Sequence, residues 1–164
     1  MFRIAAEYSE QFEVRASIER AREFFNEPRH FVELMPGVES ITAGARGVMR
    51  WLIRAEVPVL GAIRQSFSVV KTEDNQERIE WTPADDERQN FLRYAATFEP
   101  LDAARTLVKV VQKVELRRKN GKELHMLASF VGESRISKEM QKGVTDMMRA
   151  FLTSARARLE SASV

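Results

Sequence analysis

The longest continuous pattern in this chain is a period-two alternation of apolar and polar residues between Val38 and Arg118, interrupted only by short turn signals. Alternation with this period places successive side chains on opposite faces of an extended strand. In the segment 48–55, for example, Met49, Trp51 and Ile53 share one parity, and arginines occupy the other. The pattern therefore predicts an antiparallel sheet that is apolar on one face and joined by short turns.

Turn and breaker residues divide this region into separate strands. Pro58 to Gly61 and Glu73 to Gln76 are typical turn sequences, and Pro83 and Pro100 are expected to end the strands that precede them. An earlier alternation predicts one further strand before the helices. The predicted strands cover 11–16, 38–42, 48–55, 63–70, 78–82, 91–99 and 105–118, which gives about seven antiparallel strands.

Helical spacing appears on both sides of the sheet region. After Ser17, a good N-cap, apolar residues recur at three- and four-residue spacing until Pro28, and a second short helical turn ends at Pro36-Gly37. From Ser137 onward a single apolar stripe predicts a long amphipathic helix. The stripe consists of Met140, Val144, Met147, Met148, Phe151, Leu152, Ala155 and Leu159. Residues 124–131 show no clean period, so a strand extension and a short helix both remain open.

These elements predict an α+β helix-grip fold: a curved antiparallel sheet of about seven strands wrapped around a long C-terminal helix, with two short helices after strand one. A curved sheet needs its apolar face covered, and the last helix is the obvious cover. A sheet around one helix rarely collapses completely, so we expect a cavity between them. We predict one domain over 1–164, with its core at about 11–159.

Composition excludes several kinds of functional site. The chain of 164 residues has no cysteine and only two histidines, His30 and His125, so we expect no metal site and no cofactor. Its 26 basic and 24 acidic residues leave a net charge of +2, and the basic run Arg117-Arg118-Lys119 is interpreted as a solvated turn. We therefore expect no nucleic-acid partner. No run approaches the roughly 18 apolar residues of a membrane span, so we predict a cytoplasmic protein.

Four short motifs carry a resemblance to a known family. They are Met35-Pro36-Gly37-Val38-Glu39-Ser40, Met49-Arg50-Trp51, Ile79-Glu80-Trp81-Thr82, and Thr97-Phe98-Glu99-Pro100-Leu101 continuing to Arg105-Thr106. With the order of elements, they resemble the START-like SRPBCC superfamily, which includes polyketide cyclase/dehydrase proteins, coenzyme Q-binding proteins and lipid-transport proteins. The resemblance covers roughly 11–159 and implies the helix-grip fold. The motifs are structural signatures, so they carry little information about chemistry.

Eleven inward-facing residues are candidates for binding an apolar ligand in the expected cavity. They are Trp51, Gln65, Phe67, Trp81, Tyr94, Phe98, Val110, Gln112, Met140, Val144 and Met147. For each residue taken alone, a role in the ordinary core is a simpler interpretation than ligand binding. The methionines on the covering helix would suit a deformable wall. Because an unpaired buried amide is costly, Gln65 and Gln112 would need a polar ligand group or a bound water, pairing with each other, or a tilt towards a strand end.

No arrangement of residues is a convincing catalytic site. His125 or Tyr94 could handle a proton, whereas His30 is interpreted as a helix-end surface residue and Asp85-Asp86-Glu87 as a solvated turn. Three functions therefore remain open. The first is binding or transport of a small hydrophobic ligand such as a lipid, a quinone or a polyketide-like ring. The others are a cyclase/dehydrase-type enzyme using the same cavity, and an interaction module using basic strand faces. A homodimer would be unsurprising.

Overall fold

The computed structural model describes residues 1–161, so the last three residues of the predicted domain lie outside the described part. Seven antiparallel strands form one sheet in the order β1-β7-β6-β5-β4-β3-β2. The elements are β1 (Phe2–Val14), α1 (Ile18–Asn26), α2 (Pro28–Leu34), β2 (Val38–Ala43), β3 (Met49–Val57), β4 (Gly61–Asp74), β5 (Arg78–Pro83), β6 (Asn90–Asp102), β7 (Arg105–Arg118), α3 (Ala128–Val131) and α4 (Glu133–Ser161). The predicted seven-stranded sheet around a C-terminal helix is confirmed.

β1 is longer than the sequence predicts. The strand begins at Phe2 and not at Gln11, and it pairs with β7 along its whole length, from Phe2 opposite Arg118 to Val14 opposite Thr106. Ile4 is fully buried in this first half of the strand. The predicted core boundary near residue 11 therefore leaves out residues 2–10, most of this 13-residue edge strand.

The outer edge of β1 is covered by the long helix α4. Three α4 side chains spaced one helical turn apart accept hydrogen bonds from alternate backbone N–H groups of β1. The contacts run from Arg3 N to Glu133 Oε1 (2.5 Å), from Ala5 N to Ser137 Oγ (3.3 Å) and from Glu7 N to Gln141 Oε1 (2.9 Å). An exposed edge strand is a template for pairing with another chain, and these contacts occupy the first part of this edge, residues 3–7.

Two further boundaries differ from the prediction. β6 continues through Pro100, which lies opposite Thr106 of β7. The neighbour on its other side, β5, pairs with β6 only as far as Thr97, so the missing N–H of Pro100 faces no partner strand. Helix α4 begins at Glu133, four residues before the predicted Ser137. The unassigned segment 124–131 contains the single helical turn α3 and no strand.

A cluster of aromatic rings lies under the C-terminal half of α4. Phe151 stacks on Phe31 of α2 with ring centroids 4.8 Å apart, and it meets Phe25 of α1 edge-on at 6.1 Å. Phe25 also lies 6.0 Å from Phe98 of β6. The predicted N-cap holds α1 in place, since the Ser17 hydroxyl accepts a hydrogen bond from Arg20 N. The two short helices thus fix one half of α4 against the sheet.

Candidate functional site

A cavity of about 340 Å³ lies between the N-terminal half of α4 and the strands β3, β4 and β7. Its lining is mainly apolar. The strands contribute Ile53, Val57, Ile63, Phe67, Val114 and Leu116, and the helix contributes Ile136, Met140, Val144 and Met147. The volume is within the range of small-molecule sites. The two halves of α4 therefore differ: the C-terminal half packs against the aromatic core, whereas the N-terminal half contacts the edge of β1 and leaves open space towards β3 and β4.

The mouth of the cavity lies between α4 and the turn that joins β3 to β4. Gly143 is exposed there, and a Cβ atom added to it would meet nothing within 4 Å, so this glycine does not mark a close backbone contact. The acidic residues of the lining, Glu56, Glu139 and Asp146, are at least partly exposed at this rim. Arg54 is exposed as well and pairs with Glu56 at 2.6 Å.

Six of the eleven predicted ligand-binding residues line the cavity: Gln65, Phe67, Gln112, Met140, Val144 and Met147. The other five, Trp51, Trp81, Tyr94, Phe98 and Val110, are buried in the core outside the lining. The eight that lie on strands face inward, as the alternation predicts, and the three on α4 belong to its apolar stripe. Parity identifies the face of a strand but not the position along it, and the cavity occupies only one end of the sheet.

The residues considered for proton transfer do not line the cavity. The Tyr94 hydroxyl is completely buried without a hydrogen-bond partner, and its burial raises the pKa of this phenol well above its usual value. His125 is half-buried and accepts a hydrogen bond from Leu127 N at 3.1 Å. His30 is also half-buried: its Nδ1 lies 2.7 Å from the Phe24 carbonyl, and its ring stacks on Phe24. In the acidic turn 85–87, the Glu87 carboxylate accepts a hydrogen bond from Asn90 N.

The interpretation of Arg118 as part of a solvated turn is wrong. Only 7% of it is exposed, and its guanidinium donates to Gln65 Oε1 (2.9 Å), to Asn90 Oδ1 (2.9 Å) and to two backbone carbonyls. Burial lowers the pKa of this guanidinium from its ordinary value. The inward parity of Val114 and Leu116 extends to residue 118, and this signal could have identified it.

Asn90 completes a polar cluster with Arg118 and Gln65 at the end of the sheet. β5 stops at Pro83, and beyond it the Asn90 amide bridges from β6 to β4, donating to Gln65 Oε1 (3.0 Å) and to the Ser66 carbonyl (2.9 Å). We define Gln65, Asn90 and Arg118 as the amide–arginine cluster. It joins β4, β6 and β7 next to the cavity, and Gln65 belongs to both. Gln65 and Gln112 do not pair with each other.

Residues 1–161 provide neither a metal-binding cluster nor a membrane-spanning helix. No group of three or more histidine, aspartate or glutamate side chains within this range is arranged to hold a metal ion. No helix in the same range has the length and hydropathy needed to cross a membrane.

Neither any known family profile nor any curated protein matches the sequence of this chain. Solved structures do match its fold. The ZhuI aromatase/cyclase from Streptomyces sp. R1128 has a TM-score of 0.63 at 13% identity, with 96% of this chain and 98% of that chain covered. A START superfamily protein from Mycobacterium smegmatis has a TM-score of 0.63 at 15% identity, covering 95% and 98%.

A third similar structure is a protein of Thermus thermophilus, with a TM-score of 0.60 at 18% identity over 96% of this chain and 99% of that chain. At such identities, likeness of structure shows the fold and not the activity. The three similarities each extend over 95–96% of this chain. The chain therefore has the START-like, helix-grip fold that its sequence motifs indicate.

Proposed function

We propose that this protein binds a small hydrophobic ligand in the cavity beneath the N-terminal half of α4 and carries it there shielded from water. The single observation that supports this proposal is the cavity itself: about 340 Å³ with walls built mainly from aliphatic, aromatic and methionine side chains. Transfer of apolar ligand surface into such a space gains about 25 cal/mol per Å². The binding residues that we propose are Phe67, Met140, Val144 and Met147, with Gln65 and Gln112 as polar contacts.

The distribution of titratable groups supports binding better than proton transfer. The four titratable side chains in the described lining, Arg54, Glu56, Glu139 and Asp146, are at the partly or fully exposed rim. A cyclase/dehydrase-type reaction would need an acid or base that reaches the substrate. An interaction module would use basic strand faces, but two basic strand residues, Arg54 and Arg64, are already ion-paired with Glu56 and Glu39. A cytoplasmic location and a homodimer stay predictions.

A charge placed in the cavity wall tests the proposal. In Met147→Asp, a carboxylate replaces a thioether of the lining and puts a charge beside the apolar binding space, so we expect the affinity for fluorene, an apolar probe, to fall by at least about tenfold. Equilibrium dialysis measures this affinity. Val144→Phe, which fills the cavity with an apolar ring, should block fluorene without adding a charge.

The matched control is Met126→Asp, the same substitution at a methionine that is 76% exposed and lies outside the lining. It should bind fluorene as the wild-type protein does. Circular dichroism establishes that each variant is folded. Wild-type protein that takes up no fluorene, or equal affinity in the Met147 and Met126 variants, would contradict the proposal.

A further inference from the structure

The orientation of the Gln65 amide is fixed by its partners. Its Oε1 atom accepts hydrogen bonds from Arg118 Nη2 (2.9 Å) and from Asn90 Nδ2 (3.0 Å). A guanidinium can only donate, so the atom facing Arg118 has to be the amide oxygen and not the nitrogen. The Nε2 group of Gln65 is consequently turned away from this pair of donors. Among residues 1–161 it makes no hydrogen bond, and Gln65 lines the cavity.

A second amide in the lining also lacks a partner. Gln112 is 1% exposed, and its Nε2 atom is buried without a hydrogen bond in the described structure. An unpaired buried amide costs on the scale of a lost hydrogen bond, so a lining that needed only to be apolar would not favour glutamine there. Because Gln112 Nε2 has almost no accessible surface, the accessible donor in the lining is that of Gln65, and it indicates that the space receives a hydrogen-bond acceptor.

The positive charge of Arg118 next to the Gln65 amide determines which kind of ligand acceptor is favoured. All four hydrogen bonds that the Arg118 guanidinium donates go to neutral oxygens, of Gln65, Asn90, Gln89 and Arg117, so its positive charge polarises the Gln65 amide toward donation. A ligand oxygen with partial negative charge would therefore be favoured at Gln65 Nε2. A full carboxylate would be costly to bury among apolar side chains and would have to pass the acidic rim.

We propose that Gln65 donates through Nε2 to a neutral carbonyl-type oxygen of the bound ligand, with Arg118 and Asn90 as positioning residues that hold the amide in this orientation. The ligand class is thus an apolar molecule that carries a ketone, quinone or similar oxygen, and not a plain hydrocarbon or a fatty-acid carboxylate. This inference rests on the proposed function, because it assigns the ligand chemistry of the same cavity.

The test compares 9-fluorenone with fluorene, two rigid probes of nearly equal shape that differ in one carbonyl oxygen. We expect wild-type protein to bind fluorenone roughly five- to tenfold more tightly than fluorene, the ratio of affinities that one polarised hydrogen bond contributes. The carbonyl stretching frequency of bound fluorenone should be lower than in a hydrocarbon solvent, a signature that a purely structural role of Gln65 would not produce.

The informative variant is Gln65→Glu. A carboxylate keeps an oxygen for Arg118 and Asn90, so the amide–arginine cluster stays paired, but it replaces the Nε2 donor with a second acceptor. The ratio of fluorenone to fluorene affinity should fall to one or below, and the carbonyl frequency shift should disappear. Gln65→Met, which removes the donor without adding charge, should give the same ratio if the first variant folds poorly. Gln76→Glu, in an exposed turn, is the control.

The outcomes separate the two proposals. If wild-type protein binds fluorene and fluorenone equally, or if Gln65→Glu keeps the wild-type preference, the assignment of Gln65 is wrong while the apolar cavity site stands. If wild-type protein binds neither probe, both proposals fail.

Discussion

The buried side chain of Gln112 lowers the stability of the unliganded protein. Its neighbour across the strands, Tyr94, also has an unpaired buried hydroxyl, so neither polar group satisfies the other. Leaving such a group unsatisfied costs about 1–3 kcal/mol, whereas an apolar side chain of similar size would have no such penalty. Residues that lower stability in this way are often retained for function.

We therefore predict that Gln112→Leu raises the free energy of unfolding by about 1 kcal/mol, the opposite sign from most core substitutions. Urea unfolding followed by circular dichroism measures it. Tyr94→Phe, which removes the other unpaired polar group, is the comparison and should also be neutral or stabilising. A loss of more than about 1 kcal/mol in Gln112→Leu would mean that the amide is satisfied.

For a single residue, the sequence predicts which face its side chain points to better than it predicts which groups that side chain contacts. Alternation correctly turns Gln65 and Gln112 inward, because strand parity is a local property. The interpretation of Arg118 failed because a run of three basic residues before Asn120-Gly121 is typical of solvent-exposed turns. Its actual side-chain acceptors come from β4 and from β6, and no local pattern predicts contacts between strands so far apart in sequence.

At the scale of elements, the two halves of α4 have different tasks. Phe151, in the C-terminal half, is fully buried among three other phenylalanine rings. Met140, in the N-terminal half, is only partly buried and borders the cavity. The apolar stripe in the sequence is continuous through both halves and does not reveal this division.

We predict that Phe151→Ala lowers the free energy of unfolding by about 3–5 kcal/mol, because removal of a well-packed ring leaves a new void. Met140→Ala should cost less than about 1.5 kcal/mol, because its surroundings already include open space. Chemical denaturation of the two variants measures the difference. Similar losses at both positions would show that α4 packs equally tightly along its length.

The full length of β1 also depends on its contacts with other elements. Its first residues follow the alternation of Phe2, Ile4 and Ala6, but the consecutive alanines at positions 5 and 6 weaken the period. What stabilises this half of the strand is its pairing with β7 and the cover from Glu133 and Gln141 of α4. These partners are distant in sequence, so a local pattern predicts a strand that begins too late in the chain.

At the scale of the whole molecule, the fold was predictable and the extent of the cavity was not. Strand count, the short helices and the covering helix follow from periodicity and from cap and turn residues such as Ser17 and Pro83. The location of the cavity depends on where open space remains between α4 and the strands β3 and β4. Phe31 and Phe151 fill the space at one end. Inward-facing residues such as Trp51 and Phe98 are therefore buried in the core and do not line the cavity.

The most direct test of the account follows the methyl groups of the seven methionines by nuclear magnetic resonance while fluorene is added. The methyl signals of Met140 and Met147, which line the cavity, should shift strongly. Those of Met1 and Met126, both exposed outside the lining, should stay in place. Unchanged Met140 and Met147 signals, or shifts confined to the exposed methionines, would contradict an apolar ligand site beneath α4.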